Sequence, residues 1–171
     1  MTVPATFALD RAQLAVISNG GDWLISWYPP DAQPEGKPHG ATGVCVTDFR
    51  EVVLVSEDGA RWGFPGGRTE PGEDWIDTLR RELMEEACVG VLHSELVGWG
   101  RGECLTGDER GLVLVRSMWN VRVELYDWDP QFEMLHRSLC APDQLQGHLF
   151  MEPGMEPIYR RQMKEAGLPY S

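Results

Sequence analysis

The hydrophobic pattern changes along the chain from short apolar runs to a helical repeat and back. Runs of apolar and β-branched residues bounded by glycine, proline or charged residues predict strands. Such runs lie at residues 23–28, 41–48, 52–56, 92–105, 111–125 and 133–140, and residues 61–64 are expected to be extended as well. The second and third runs flank a short polar turn, which favours a hairpin. Residues 1–22 are weakly patterned, with a turn at 19–22, and 29–40 is rich in proline and predicts a loop.

The helical repeat falls in the middle of the chain. Its apolar residues are Ile76, Leu79, Leu83 and Ala87, a spacing that predicts a helix over 74–89. Pro142 and Asp143 are expected to begin a short helix, and 156–166 a final one. Because strands dominate and a few helices lie between them, we expect an α/β protein with a mixed sheet sandwiched by helices.

Length and charge narrow the possible functions. A chain of 171 residues predicts a single domain over 1–171. With 15 basic and 27 acidic residues, the net charge of −12 argues against a nucleic acid polymer or an anionic membrane as a partner. If the substrate is a small anion, a bound metal ion is the obvious way to screen these carboxylates.

The cysteines and the chain start bear on location. Four cysteines lie far apart without a Cys-x-x-Cys pair, which favours reduced thiols and a cytoplasmic protein. The first residues lack the pattern of a signal peptide, and no apolar stretch reaches transmembrane length. Monomer and homodimer both stay open.

The chemistry is concentrated in residues 61–89, where a glycine-rich segment leads into an acidic helix. Glu82, Glu85 and Glu86 are spaced i, i+3 and i+4, so their side chains share one helix face beside the apolar stripe. Carboxylates packed this way repel one another unless a cation lies among them, and their oxygens suit hard ions such as Mg²⁺, Mn²⁺ or Ca²⁺. Arg81 precedes Glu85 by four residues and can pair with it. Taken alone, such a run is more often a solvated acidic surface.

The same stretch closely resembles the Nudix box, G-x5-E-x7-R-E-U-x-E-E-x-G-U with U apolar. The matching residues are Gly67, Glu73, Arg81, Glu82, Leu83, Glu85, Glu86 and Val89, preceded by Phe64, Pro65 and Gly66. Cys88 stands where the pattern has its late glycine. That position lies at the end of the helix, where glycine would supply a left-handed cap.

The resemblance implies a Nudix-type α/β/α sandwich and a metal-dependent hydrolase. It implies that the Gly66 carbonyl and Glu82, Glu85 and Glu86 hold Mg²⁺ or Mn²⁺. One glutamate, Glu82 or Glu86, would act as base on a metal-activated water, and Glu73 and Arg81 would orient the site. The catalytic residues expected from the resemblance are thus Glu73, Arg81, Glu82 and Glu86.

Sequence marks of several Nudix subfamilies are absent, which leaves nucleoside di- or triphosphates as the expected substrates. Water would cleave their diphosphate linkage and release a nucleoside monophosphate. One alternative is a regulatory module of the same fold that binds a nucleotide without cleaving it. Another is a prenyl diphosphate isomerase, although the Cys-x-x-His-Pro motif of those enzymes is missing.

Outside the box, a few residues are candidates for substrate contact. Arg50, Arg61 and Arg68 lie near the box, and an arginine side chain can bind phosphate oxygens. Arg68 is preferred because it is the nearest of the three. Trp23 and Trp27 are candidates for stacking on a base, with core packing as the alternative. An additional base or metal ligand is expected among Glu103, Asp108, Glu109 and Glu133, of which Glu133 is preferred because it precedes the last predicted strand.

Overall fold

The computed structural model of the chain describes residues 13–18 and 20–169, with side chains from residue 17 onward. Within these residues there are eight strands: β1 (Gln13–Ser18), β2 (Gly21–Tyr28), β3 (Lys37–Val46), β4 (Val52–Ser56), β5 (Gly66–Arg68), β6 (Val89–Cys104), β7 (Val113–Leu125) and β8 (His136–Cys140). The helices are α1 (Trp75–Ala87), α2 (Leu145–His148) and α3 (Glu156–Glu165), and a 3₁₀ turn spans Pro142–Gln144. None of the helices in this part of the chain is long and apolar enough to cross a membrane.

The strands form one mixed sheet in the order β1-β2-β6-β7-β3-β4-β8, with β5 paired to β3. Every neighbouring pair is antiparallel except β3 and β7, which run parallel from Lys37 opposite Leu114 to Val46 opposite Arg122. The strand β5 is short and pairs Gly66 with Thr42. It therefore brings the glycine-rich segment against the middle of the sheet.

Helices cover both faces of the sheet, as the alternation along β3 shows. Ala41 and Cys45 are buried against Leu79 and Leu83 of α1. Val44, whose side chain points to the opposite face, lies in a core with Met163 of α3. Since successive side chains of a strand face opposite ways, α1 and α3 lie on opposite sides. The predicted α/β sandwich is confirmed.

The first turn of α1 is fixed by its own side chains. The Asp77 N–H donates to Asp74 Oδ1 at 2.8 Å, and the Asp74 N–H donates to Asp77 Oδ2 at 3.4 Å. This reciprocal capping satisfies two backbone donors that a helix start leaves open. At the other end, Cys88 adopts φ 51° and ψ 51°, and its N–H donates to Met84 O. The expected left-handed cap is thus present with a residue other than glycine.

Several predicted boundaries were wrong. Strand β1 lies in the weakly patterned segment 1–22, for which no strand was predicted. Strand β3 begins at Lys37, inside the expected loop, because parallel pairing with β7 extends it. Strand β6 begins at Val89, directly after the helix cap. Strand β8 begins at His136, three residues later than expected. Residues 61–64 form only two isolated bridges.

Candidate active site

The glutamates of α1 lie against the glycines of β5. The Gly66 N–H donates to Glu86 Oε2 at 3.0 Å. A Cβ atom added at Gly67 would lie 2.3 Å from the Glu82 carboxyl carbon. A Cβ atom added at Gly66 would lie 2.3 Å from the Ala41 carbonyl oxygen. The two glycines therefore let the strand approach both the carboxylates and β3 more closely than any other residue type would allow.

Arg81 holds three of the box carboxylates together. Its Nε donates to both oxygens of Glu73, at 3.2 and 3.0 Å. Its Nη1 donates to Glu82 Oε1 at 2.9 Å and to Glu85 Oε2 at 3.2 Å. Its Nη2 donates to the Arg68 carbonyl oxygen at 2.7 Å and to Glu73 Oε1 at 2.9 Å. The predicted pairing with Glu85 is confirmed, and one guanidinium links the helix to the end of β5.

The pKa values of these carboxyl groups are displaced in opposite directions. The hydrogen bonds from Arg81 hold the pKa of Glu73 below its ordinary value. Burial raises the pKa of Glu82, against the hydrogen bond from Arg81. Burial, with a smaller contribution from the charges of Glu82 and Glu133, raises the pKa of Glu86 to about 7. The site thus contains one firmly ionised carboxylate and two that ionise reluctantly without an added cation.

The donor set suits a hard divalent cation. Glu82 and Glu86 are only 8% exposed each, and carboxylate oxygens beside a backbone carbonyl are the ligands that Mg²⁺ and Mn²⁺ take. Among the described residues, no group of three or more Asp, Glu, His or Cys side chains is already arranged to hold a metal ion. Arg81 and the Gly66 N–H engage oxygens of all three glutamates. A cation would compete with these donors for the same oxygens.

A cavity of about 580 Å³ lies between the sheet and α3. Its walls include Trp23, Arg68, Tyr159 and Gln162. Thr42 also lines it, and a Cβ atom at Gly66 would lie 3.0 Å from the Thr42 hydroxyl. The cavity therefore adjoins the strand that contacts the glutamates, and its volume is within the range of small-ligand sites.

Arg116, which the sequence analysis did not single out, lies where the cavity meets the glutamates. It lines the cavity, and its Nη1 donates to the Thr42 hydroxyl at 3.0 Å. Its positive charge opposes the rise in the pKa of Glu86. A signal was present in the sequence, because a charged arginine follows the apolar run at 112–115 within a predicted strand. His39, a neighbour on the same wall, gave no such signal.

The two tryptophan candidates differ. Trp23 lines the cavity, is 7% exposed, and donates from its ring N–H to the Ser18 carbonyl oxygen. Trp27 is 0% exposed, with the backbone of Gly98 against its ring and the Arg161 guanidinium 5.5 Å from its ring centre. The expectation that Trp27 stacks on a base is wrong, because its ring is enclosed in the core.

The remaining candidates are distributed around the site. Arg68 is exposed and lines the cavity, whereas Arg61 pairs with Asp58 at 2.9 Å outside it. Glu133 is exposed, and its charge acts on Glu82 and Glu86, so it lies near the acidic cluster. Among the other acids, Glu109 lines the cavity and Glu103 pairs with Arg101.

Comparison with known proteins identifies the family. A model of the NUDIX domain matches residues 37–162, most of the chain, and the chain belongs to that family. The mitochondrial ADP-ribose pyrophosphatase of Rattus norvegicus is 33% identical over 70 residues, 41% of this chain and 19% of that protein. The 8-oxo-dGDP phosphatase NUDT18 of Mus musculus is 27% identical over 124 residues, 64% of this chain and 35% of that protein. The matches thus span about a fifth to a third of those relatives.

Solved structures show the same fold. The Bacillus subtilis pyrophosphohydrolase BsRppH superposes with a TM-score of 0.62 at 20% identity, covering 90% of this chain and 97% of that one. A NUDIX hydrolase from Nitrosomonas europaea superposes with a TM-score of 0.55 at 22% identity, covering 79% of this chain and 98% of that one. The sandwich described above is therefore the Nudix fold.

Proposed function

We propose that this chain is a Mg²⁺- or Mn²⁺-dependent hydrolase that cleaves the diphosphate linkage of nucleoside di- or triphosphates and releases a nucleoside monophosphate. One observation carries the proposal. Two buried glutamates with raised pKa values, Glu82 and Glu86, lie against β5 and adjoin a cavity of about 580 Å³. A carboxylate pair of this kind is costly for the fold unless a cation uses it.

The residues divide into ligands and positioning groups. Glu82, Glu85, Glu86 and the Gly66 carbonyl would hold the cation. A bound Mg²⁺ or Mn²⁺ neutralises phosphate charge and lowers the pKa of water. Arg81 and Glu73 act as positioning residues, because their bidentate contact fixes the guanidinium that orients Glu82 and Glu85.

Glu86 is the better placed of the two candidate bases. Its Oε2 accepts the Gly66 N–H, which fixes the carboxyl plane, whereas the Arg81 guanidinium donates to Glu82 and Glu85. Glu82 already accepts a charge-assisted hydrogen bond from Arg81, which favours its ionised form. A general base works best when its pKa lies near the working pH. This favours Glu86, whose ionised form receives no hydrogen bond from Arg81. Glu133, near both, is the candidate for an additional ligand or base.

Substrate contacts would come from the cavity side. Arg68 presents its guanidinium at the cavity rim, where phosphate oxygens can pair with it. Trp23 also lines the cavity and offers an aromatic surface suited to a base. The relatives named for ADP-ribose and for 8-oxo-dGDP support a nucleotide that contains a diphosphate. A cytoplasmic location stays a prediction from the sequence.

Product analysis in ¹⁸O-labelled water tests the proposal. The purified protein is incubated with Mg²⁺ or Mn²⁺ and a panel of nucleoside di- and triphosphates, ADP-ribose and prenyl diphosphates. The expected result is a nucleoside monophosphate, one ¹⁸O atom in one of the two products, and no reaction in EDTA. Nucleotide binding without turnover would instead indicate a regulatory module. An isomerised prenyl diphosphate would indicate the isomerase alternative.

A further inference from the structure

The carboxylates of Glu86 and Glu82 act on the charge of Arg116 only from a distance. Among the residues that the structure describes, no carboxylate lies within ion-pair distance of it, and the hydrogen bond from its guanidinium goes to the neutral Thr42 hydroxyl. A guanidinium stays protonated in proteins and carries five N–H donors, so most of its donors have no protein acceptor in this part of the chain. The side chain is partly buried, which makes guanidinium donors without an acceptor unfavourable.

The backbone is shaped around this guanidinium. A Cβ atom added at Gly40 would lie 3.2 Å from Arg116 Cζ and 2.1 Å from the Gly67 carbonyl oxygen. Gly67 in turn contacts the Glu82 carboxyl group. Arg116 is therefore separated from the acidic cluster by two glycines only, and it faces the cavity from that side.

Other basic residues lie near Arg116, since Arg68 and His39 line the cavity with it. Burial, together with the charges of Arg116, Arg68 and Lys37, lowers the pKa of His39 to about 4. Three permanent cations therefore surround one neutral imidazole, in a chain whose net charge is −12. Such a local excess of positive charge attracts a dense anion of matching size.

We propose that Arg116 binds a phosphate group of the substrate from inside the cavity, with Arg68 and the Thr42 hydroxyl beside it. The inference deepens the proposed function and rests on it for the identity of the ligand. It assigns a diphosphate that is held at two points: one end by the cation that the glutamates of α1 would hold, and the other end by the Arg116 guanidinium. A guanidinium fork matches two phosphate oxygens, so it also fixes the orientation of the chain of phosphates.

Titration calorimetry with inorganic pyrophosphate in EDTA tests this site without turnover or metal. We expect wild-type protein to bind pyrophosphate and Arg116→Ala to bind it about 10- to 100-fold more weakly, the range for hydrogen bonds to charged groups. Arg116→Lys, which keeps the charge and loses the fork, should fall between the two. Arg122→Ala is the matched control, because Arg122 lies exposed on the same strand.

The outcomes separate this site from the proposed reaction. Equal binding by wild type, Arg116→Ala and Arg116→Lys, or no binding by wild type, overturns the role of Arg116 even if the enzyme turns over nucleotides. Binding that depends on Arg116 supports the site even if no nucleotide in the panel is cleaved. Circular dichroism checks that each variant is folded. If Arg116→Ala does not fold, the pyrophosphate affinity of Arg116→Lys alone tests the role of Arg116.

Discussion

Glu86 is the residue whose proposed role as a base most directly opposes the stability of the fold. Its carboxyl group is buried, and its pKa rises from the ordinary value of 4.5 to about 7. The folded protein therefore keeps a proton at pH values where the unfolded chain has lost it. Because the folded state binds more protons between pH 4.5 and 7, the contribution of Glu86 to stability falls as the pH rises through this window.

We expect Glu86→Gln to stabilise the metal-free protein at pH 8. Glutamine is neutral at every pH and its carbonyl oxygen can still accept the Gly66 N–H, so the cost of ionising a buried group disappears. The gain is on the order of 1–3 kcal/mol at pH 8 and close to zero near pH 4.5, given 1.36 kcal/mol per pKa unit. Urea unfolding in EDTA at both pH values measures it, with the exposed Glu95→Gln as control. A gain that does not change with pH would contradict the account.

Cys88 is a second residue whose backbone and side chain have opposing preferences. A left-handed backbone costs a residue with a Cβ atom roughly 1 kcal/mol, a cost that glycine avoids. The thiol, however, is buried. We expect Cys88→Gly to be more stable than Cys88→Ala by about 1 kcal/mol, because alanine loses the thiol and keeps the strain. Thermal unfolding of the two variants decides this, and equal or reversed stabilities would refute the left-handed cap.

At the scale of elements, the position of α1 determines the site. The capping pair at its start fixes where the helix begins, and therefore which residues face β5. We expect Asp74→Ala to lower the free energy of unfolding by about 1 kcal/mol, because the Asp77 N–H loses its acceptor. Asp74→Asn keeps an acceptor oxygen and should retain most of the stability. Denaturation curves for both variants test this. An equal loss of unfolding free energy in Asp74→Asn would show that the charge of Asp74 stabilises the helix, and not its hydrogen bond to the Asp77 N–H.

Some of the helices and strands could be predicted from the sequence and others could not. The helix 75–87 and its acidic face were predictable, because a repeat of apolar residues and a run of glutamates are local signals. The start of β3 at Lys37 was not, since its first residues are held by parallel pairing with a strand about 77 residues away. Strand β5, Gly66–Arg68, is three residues long and rich in glycine, so no propensity marks it.

The same contrast applies to the candidate site. Residues joined by helical spacing, such as Arg81 and Glu85, were correctly paired from sequence. Trp27 was misassigned because exposure depends on distant partners, here the Gly98 backbone and Arg161. Arg116 was missed because its role depends on the sheet, which places it next to Thr42 of a strand far away in sequence.

At the scale of the whole molecule, the sheet separates two charge environments. The glutamates lie with α1 near β5, whereas Arg68, Arg116 and His39 line the cavity toward α3. The strand β5 joins the two, so that a diphosphate lying across its glycines would meet the cation that the carboxylates would hold at one end and the arginines at the other. A net charge of −12 weakens the binding of any anion, so a divalent cation that accompanies the substrate should strengthen its binding.

The rate of nucleoside monophosphate release at saturating Mg²⁺, compared between wild type and Glu86→Gln, tests the central claim most directly. The account predicts a loss of at least about 100-fold in Glu86→Gln, the lower range for removing a general base, together with an intact fold. Glu95→Gln, which changes an exposed glutamate on β6, should turn over at the wild-type rate. A near-normal rate in Glu86→Gln would contradict the assignment of the α1 glutamates as the hydrolytic site.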